Sequence, residues 1–294
     1  MLAAEASLSH ARSPGMSIPG REALRIAELT SGSGLIGLHL LRIERNSTLL
    51  GLDLDPSASA VASHNAELLA LARRARFTRA DLNSRNTENL LLREKAQLLV
   101  CNPPYVPEPP GGNLPVEAGA GPDGTAHLMR ALELARTVRP RAMALSWCSL
   151  SDPEKVISEA ERSGYRLNSL FVALIADGEY SSAAGGYLRS LSTAFLNDSQ
   201  ETLRAVAPDS SASFGFLLMA GEFSRGDSRM QRGAPGASEQ VRTICSRFAR
   251  RGLAALDSLE TSFPTRVWLL DRWDEVRLRA YLHGEASQPS VAPA

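Results

Sequence analysis

Asn102-Pro103-Pro104-Tyr105 follows the apolar run of residues 97–101 and brings together groups able to hold a planar amino group. Two prolines in succession fix φ and remove two N–H donors, so the local backbone offers carbonyls only. The side-chain carbonyl of Asn102 beside the bare Pro103 carbonyl gives two acceptors for the two N–H bonds of one NH2 group. Tyr105 supplies a ring for stacking on a flat group. Accepting both N–H bonds discourages delocalisation of the nitrogen lone pair and turns it toward an incoming methyl. That work is positioning and electrostatics, and it requires neither metal nor strong base. The bland alternative is a proline-stiffened loop with an incidental Asn and Tyr, and the location at a strand end disfavours it.

A second constellation lies upstream. The run of residues 24–29 passes directly into Thr30-Ser31-Gly32-Ser33-Gly34-Leu35-Ile36-Gly37. Glycines between a strand and a helix let the backbone turn sharply and approach a ligand, and the helix N-terminus offers unpaired N–H groups. Gly32, Gly34 and Gly37 have the full G-x-G-x-x-G spacing, and Asp53 lies 21 residues beyond Gly32, where a carboxylate takes both hydroxyls of an adenosine ribose. Asp81 in Ala80-Asp81-Leu82 can accept from an adenine amino group while Leu82 covers the ring. Its plain alternative is an ordinary loop aspartate. To this point NAD and S-adenosylmethionine fit almost equally; Asn102–Tyr105 favours the second.

These residues need a scaffold that brings strand ends together. Apolar runs at 24–29, 48–53, 75–81, 97–101, 142–147 and 169–176 alternate with helical periodicity over 35–45, 56–72, 124–138 and 152–163. Short strands without polar alternation, separated by amphipathic helices, predict a doubly wound, Rossmann-like α/β sheet with helices on both faces. Asp55-Pro56 and Ser151-Asp152-Pro153 mark two helix starts. Residues 1–20 read as a flexible leader. The principal domain is expected over 21–220 with an insertion at 177–212, holding one helix near 187–206 and a late strand over 213–220. Residues 221–294 are expected to form a linker (221–237) and a small helical extension (238–259 and 269–283) with a disordered tail, Trp268 and Trp273 anchoring an apolar helix face.

Lysine plus arginine is 32 and aspartate plus glutamate is 32, so the net charge is zero. That argues against a chain living mainly on phosphate contacts. Seven arginines nevertheless lie between 225 and 251 against Glu222, Asp227 and Glu239, either a basic face for a polyanion or a solvated helix face. Only Lys95 and Lys155 are lysine. No apolar run approaches the ~18 residues of a membrane span. The three cysteines, Cys101, Cys148 and Cys245, lie far apart, as in a reduced cytoplasmic protein without structural metal. The five histidines show no mutual spacing and read as structural or surface residues.

Asn102–Tyr105 with the glycine loop upstream resembles the class I S-adenosylmethionine-dependent methyltransferases that modify planar amino groups. Val106-Pro107-Glu108-Pro109-Pro110 and Val116–Gly124, leading into a helix at 125–137, narrow this to the release-factor glutamine methyltransferase (HemK-type) family, over about residues 24–176. The resemblance implies S-adenosylmethionine as cofactor, with Glu28 and the loop Thr30–Gly34 on its methionine portion, Asp53 on the ribose, and Asp81 with Leu82 on the adenine. Asn102 and Pro103 would grip the acceptor NH2, with Tyr105 packing against it. Thr30 departs from the family's glycine, and its β-carbon is expected to crowd the cofactor or force a different turn. Only about 23 residues precede the first strand, where bacterial members carry a helical substrate-recognition domain. The fifth strand ends Leu145-Ser146-Trp147-Cys148 in place of Glu-Ile-Gly. The last two features look more like the compact archaeal and eukaryotic branch, which works with a small zinc-binding activator protein.

Four functions follow: methylation of a protein glutamine amide in a release-factor-like substrate, the same chemistry on adenine N6 in RNA or DNA, a non-catalytic binding module of the same fold, and an NAD-dependent oxidoreductase. The last leaves Asn102–Tyr105 unexplained.

Overall fold

The computed structural model describes residues 23–175, 184–195, 216–226, 236–251 and 261–268. Strands β1 (Leu24–Leu29), β2 (Ser47–Asp53), β3 (Ala75–Arg79), β4 (Leu98–Cys101) and β5 (Ala142–Cys148) alternate with helices α1 (Leu35–Ile43), α2 (Pro56–Leu68), α3 (Arg85–Glu94) and α4 (Ala126–Val138). Then come α5 (Pro153–Arg162), β6 (Tyr165–Ile175), α6 (Gly185–Phe195), β7 (Phe216–Arg225), α7 (Ala237–Arg251) and β8 (Thr265–Trp268). Together they build one eight-stranded sheet in the order β3-β2-β1-β4-β5-β7-β6-β8. All pairings are parallel except those of β7, which runs antiparallel to both β5 and β6.

Every residue of β4 and β5 is buried, whereas the edge strand β3 is half-exposed or exposed throughout. Continuous apolar runs therefore mark strands covered on both faces, as the sequence implied. On one face, Leu38, Leu40 and Leu41 of α1 and Ala66 of α2 pack on Ile26, Leu49, Leu98 and Val100. On the other, Leu91 of α3, Leu128 and Leu132 of α4, Val156 of α5 and Val241, Ile244 and Phe248 of α7 share one core with Leu29, Leu99, Leu145 and Trp147. Each fully buried Leu, Ile or Val contributes roughly 1.5–3 kcal/mol. Both expected helix starts are present: Asp55 Oδ1 accepts from Ser57 N at 2.8 Å, Asp152 Oδ1 accepts from Lys155 N at 3.1 Å, and proline opens each helix.

Several expectations shift. Helix α3, capped by Ser84, lies where the sequence pattern implies no helix, because only Thr87 and Leu91 on it are buried and its apolar periodicity is thin. Strand β7 runs through 221–225, where a linker was expected. Gly221 is there for close packing, since a β-carbon would meet Leu167 Cδ1 at 2.7 Å and Trp147 Cη2 at 2.8 Å. Glu222 is buried and accepts from Ser169 Oγ at 3.1 Å, a bond across β6 and β7. Residues 237–251 are helical over the first part of the expected 238–259 helix, whose remainder lies outside the described residues, and Trp268 ends strand β8 instead of lying at a helix. The leader, the 177–212 insertion apart from α6, the 269–283 helix and Trp273 lie outside the described residues.

Candidate active site

The carboxyl ends of β1, β2, β3 and β4 share one edge of the sheet, and the segments that leave them carry the chemistry singled out in the sequence. Thr30 follows β1 with φ 54, the left-handed conformation that glycine adopts freely and a β-branched residue resists. The loop therefore keeps a glycine-type turn despite the side chain, where a different turn was one expected result. Thr30 Oγ1 donates to Leu29 O at 2.5 Å and lies 3.9 Å from Cys101 Sγ, so its side chain is turned toward β4. Beside it, Gly32 also has a positive φ, 51, and a β-carbon built there would meet nothing within 4 Å: the loop opens on free space. Gly34 and Gly37 serve packing. A β-carbon at Gly34 would lie 2.8 Å from the Phe77 ring, and one at Gly37 2.5 Å from Glu28 Oε2.

Asp53 ends β2 and is held by two backbone donors, Gly32 N on Oδ2 at 2.7 Å and Asp55 N on Oδ1 at 3.0 Å. The carboxylate is thereby fixed to the glycine loop and still retains lone pairs for further hydrogen bonds. Glu28 is 2 % exposed, and its Oε2 accepts from Gly37 N at 3.1 Å. Burial pushes its carboxyl up to about 8; the Gly37 N–H bond pulls back against this, and the nearby Asp53 charge adds to it. Glu28 thus braces the loop from beneath against the first turn of α1. Asp81 is exposed after β3, with Oδ1 accepting from Asn83 N at 2.8 Å, while Leu82 is 9 % exposed and packs into the core. Leu82 O also accepts from Arg130 Nε at 2.7 Å, which ties this turn to α4.

At the end of β4, Asn102 is exposed, Pro103 is buried, and Pro104 and Tyr105 are half-buried. Tyr105 packs against the cluster of Val106, Cys148, Leu188 and Phe216, and burial raises its phenol to about 12, so it stays neutral. The chain then returns alongside itself. Val106 N donates to Ala118 O and Ala120 N to Val106 O, both at 3.0 Å, and Glu108 N donates to Gly121 O at 3.0 Å. Gly124 (φ 68) permits a close approach of backbone, since a β-carbon would meet Tyr105 O at 2.6 Å and Ser151 Cβ at 2.7 Å.

Three residues that position this loop were not found in the sequence. Lys155 Nζ donates to Asp123 Oδ2 at 2.5 Å, Tyr187 Oη donates to Pro122 O at 2.9 Å, and Cys148 Sγ donates to Tyr105 O at 3.7 Å. Burial raises the Asp123 carboxyl, but its bonds with Lys155 and Thr125 outweigh this and leave it below the ordinary range. The rarity of lysine in the chain was the single signal pointing to Lys155. The arrangement as a whole offers an open space lined by a fixed carboxylate and strand-end loops, beside an exposed amide carbonyl.

No family model matches the chain. Over 83 residues, 28% of its length, it is 40% identical to the release factor glutamine methyltransferase of Rhodospirillum rubrum. Over 111 residues, 35% of its length, it is 32% identical to the protein of the same name from Moorella thermoacetica. A third so named, from Nitratidesulfovibrio vulgaris, is 36% identical over 84 residues. The chain spans 24%, 38% and 27% of the length of these relatives. It thus resembles release factor glutamine methyltransferases over part of its length. Among solved structures, a SAM-dependent methyltransferase from Geobacter sulfurreducens in complex with S-adenosyl-L-homocysteine aligns with 70% of this chain and 86% of its own, at 17% identity and TM-score 0.38. A TehB-like SAM-dependent methyltransferase from Corynebacterium glutamicum aligns over 76% and 88%, at 17% identity and TM-score 0.39.

Proposed function

We propose that the chain is an S-adenosylmethionine-dependent N-methyltransferase acting on the side-chain amide of a glutamine in a release-factor-like protein. What supports this most is the exposed Asn102 and buried Pro103 at the end of β4, on the sheet edge that also carries Asp53 and the Thr30–Gly34 loop. The partial likeness to release factor glutamine methyltransferases points the same way.

The residues present fit the cofactor. Gly32 opens on free space, and Asp53, already oriented by Gly32 N, has lone pairs left for two ribose hydroxyls. Asp81 is exposed at the neighbouring strand end and suits an adenine amino group. Glu28, buried beneath the loop, would shape the methionine end without touching it. Leu82, packed into the core, would support the adenine turn from below. When bound, S-adenosylmethionine supplies an electrophilic methyl group.

The chain's own residues do the rest. The Asn102 side-chain carbonyl and the Pro103 backbone carbonyl accept the two N–H bonds of the acceptor amide, which orients its nitrogen and frees the lone pair from conjugation. Tyr105, anchored in its apolar cluster, holds this pair in place, and buried Pro103 excludes water from one side. The exposed position of Asn102 lets the proton released from nitrogen pass to solvent.

The same two acceptors would suit an adenine amino group, so the decisive experiment offers both acceptors in parallel. Labelled methyl from S-adenosylmethionine should appear on glutamine in a release factor. Label confined to RNA would overturn the glutamine reading, and no binding heat with millimolar cofactor would overturn the enzyme.

A further inference from the structure

We infer that Glu108 is a positioning residue for the acceptor: its carboxylate latches the exposed tip of the loop after β4 into the shape that receives the polypeptide flanking the methylated glutamine. The inference rests on the glutamine reading above and adds to it the part of the chain that meets the protein substrate.

The loop is long for its place. Residues 102–125, 24 in all, join β4 to α4, where about 2–6 residues commonly join a strand to a helix in such a sheet. Connections beyond about 12–15 residues without elements of their own are usually functional. Backbone bonds close the base of the loop, Val106 with Ala118 and Ala120, and Glu108 N with Gly121 O. The tip is built from two tight turns. Gly112 N donates to Pro109 O at 2.8 Å in the first, and Ala118 N donates to Pro115 O at 2.9 Å in the second. These bonds are local to each turn and do not join one to the other.

The Glu108 carboxylate does join them. Its Oε2 accepts from Leu114 N at 3.1 Å, between the two turns. A β-carbon at Gly112 would lie 2.4 Å from the same oxygen, and one at Gly119 would lie 2.0 Å from Oε1. Gly112 closes the first turn and Gly119 follows the second, so the carboxylate occupies the space that two side chains would fill. Neither glycine has a left-handed φ, so the backbone does not call for glycine at either place. The carboxylate does.

Leu114 carries the latch inward. Its side chain packs against the cluster of Val106, Cys148, Leu188 and Phe216, which also seats Tyr105. The latched tip is thereby fixed relative to the segment that grips the acceptor. Outward, Pro109–Asn113 and Pro115–Glu117 are exposed, with Val116 at 71 %. From Pro109 to Val116 the sequence has no charged side chain. An uncharged tip of prolines, backbone amides and one exposed valine suits a polypeptide, whereas a phosphate chain calls for cations. Holding a glycine-containing tip in one shape before binding removes an ordering cost that association would otherwise carry.

The test uses the full chain, S-adenosylmethionine and a recombinant bacterial release factor, with initial rates measured over a range of release-factor concentrations. Glu108→Ala should raise KM for the release factor about tenfold, the equivalent of one hydrogen bond to a charged acceptor. Its kcat, cofactor affinity and melting temperature should stay close to the parent's, a split that a merely structural glutamate would not give. Glu108→Gln keeps an oxygen for Leu114 N and should restore KM to near the parent's value. Gly119→Ala displaces the carboxylate, whose flexible side chain yields, and should raise KM to the same extent as Glu108→Ala. Combining the two should add nothing further, because one contact can be lost only once. Hydrogen exchange at the Leu114 amide should be about tenfold faster in Glu108→Ala and in Gly119→Ala. With an active parent, unchanged KM or unchanged Leu114 exchange in Glu108→Ala would overturn the inference. So would effects of the two substitutions that multiply to about a hundredfold. A parent that binds cofactor but methylates RNA and not the release factor, or neither, would overturn the glutamine reading and this inference with it; failure of the parent itself marks that case.

Discussion

Replacing Thr30 by glycine should make this protein more stable, although it removes a hydroxyl that is hydrogen-bonded. Thr30 sits at φ 54 in the loop between β1 and α1. Holding an L-residue in the left-handed region costs roughly 1–2 kcal/mol, and a β-branch places it at the upper end. Against this, glycine has more freedom to lose on folding, roughly 0.5–1 kcal/mol. The lost hydroxyl contacts are its own neighbour's carbonyl, Leu29 O, and a 3.9 Å approach to Cys101 Sγ, neither a strong tie to distant structure. The net expectation is a gain of about 0.5–1 kcal/mol, or about 1–4 °C in melting temperature for a domain of this size. Thermal unfolding of Thr30→Gly and Thr30→Ala, side by side, isolates the cause. Alanine keeps the β-carbon at the same φ and should be less stable than glycine by about 1 kcal/mol. Calorimetric titration with S-adenosylmethionine should show affinity in the glycine variant equal to or tighter than the parent. A loss of 1 kcal/mol or more in Thr30→Gly, or an alanine variant more stable than the glycine one, would refute the strain argument.

Glu28→Gln should flatten the pH dependence of stability. Burial raises the Glu28 carboxyl from 4.5 to about 8, so the folded chain keeps a proton that the unfolded chain releases; this stabilisation is full below about pH 4.5 and is lost as pH rises through about 8. The span is at most about 5 kcal/mol, and melting curves from pH 5 to 8.5 should lose their downward slope in the variant while it still accepts from Gly37 N. Asn102→Ala should cut turnover by about 100-fold or more with cofactor affinity nearly intact, whereas Asp53→Ala should weaken cofactor binding about tenfold by removing both the ribose acceptor and the partner of Gly32 N. Steady-state kinetics beside calorimetry separates the two. Gly124→Ala should destabilise by about 1–3 kcal/mol, measured by denaturant unfolding, because its β-carbon would meet Tyr105 O at 2.6 Å at a φ of 68.

Local chemistry was readable directly. The runs 24–29 and 142–147 are strands because their apolar residues are continuous, and Asp55-Pro56 caps a helix because a carboxylate and a fixed φ act within one turn. Helix α3 is not legible in the sequence because Leu90-Leu91-Leu92 buries mainly one residue and leaves little periodic signal. Residues 221–225 looked like linker because glycine and glutamate are polar-loop residues in isolation. Gly221 is required by the Trp147 ring and Glu222 is satisfied by Ser169, partners more than fifty residues away in the chain.

The candidate site divides in the same way. Residue types and spacing alone placed Gly32, Asp53, Asp81 and Asn102 at strand ends, because a strand's exit is fixed by its own short sequence. Only the tertiary structure decided that Glu28 is buried beneath the loop, that Lys155 and Tyr187 pin the segment after Tyr105, and that Leu82 faces the core. Balanced net charge is likewise a property of the sequence, but charge acts over distances of about 10 Å. Where Arg25, Lys95, Arg139, Arg141 and Arg225 meet depends on the strand order β1-β4-β5-β7, which sequence proximity does not encode and the folded sheet does.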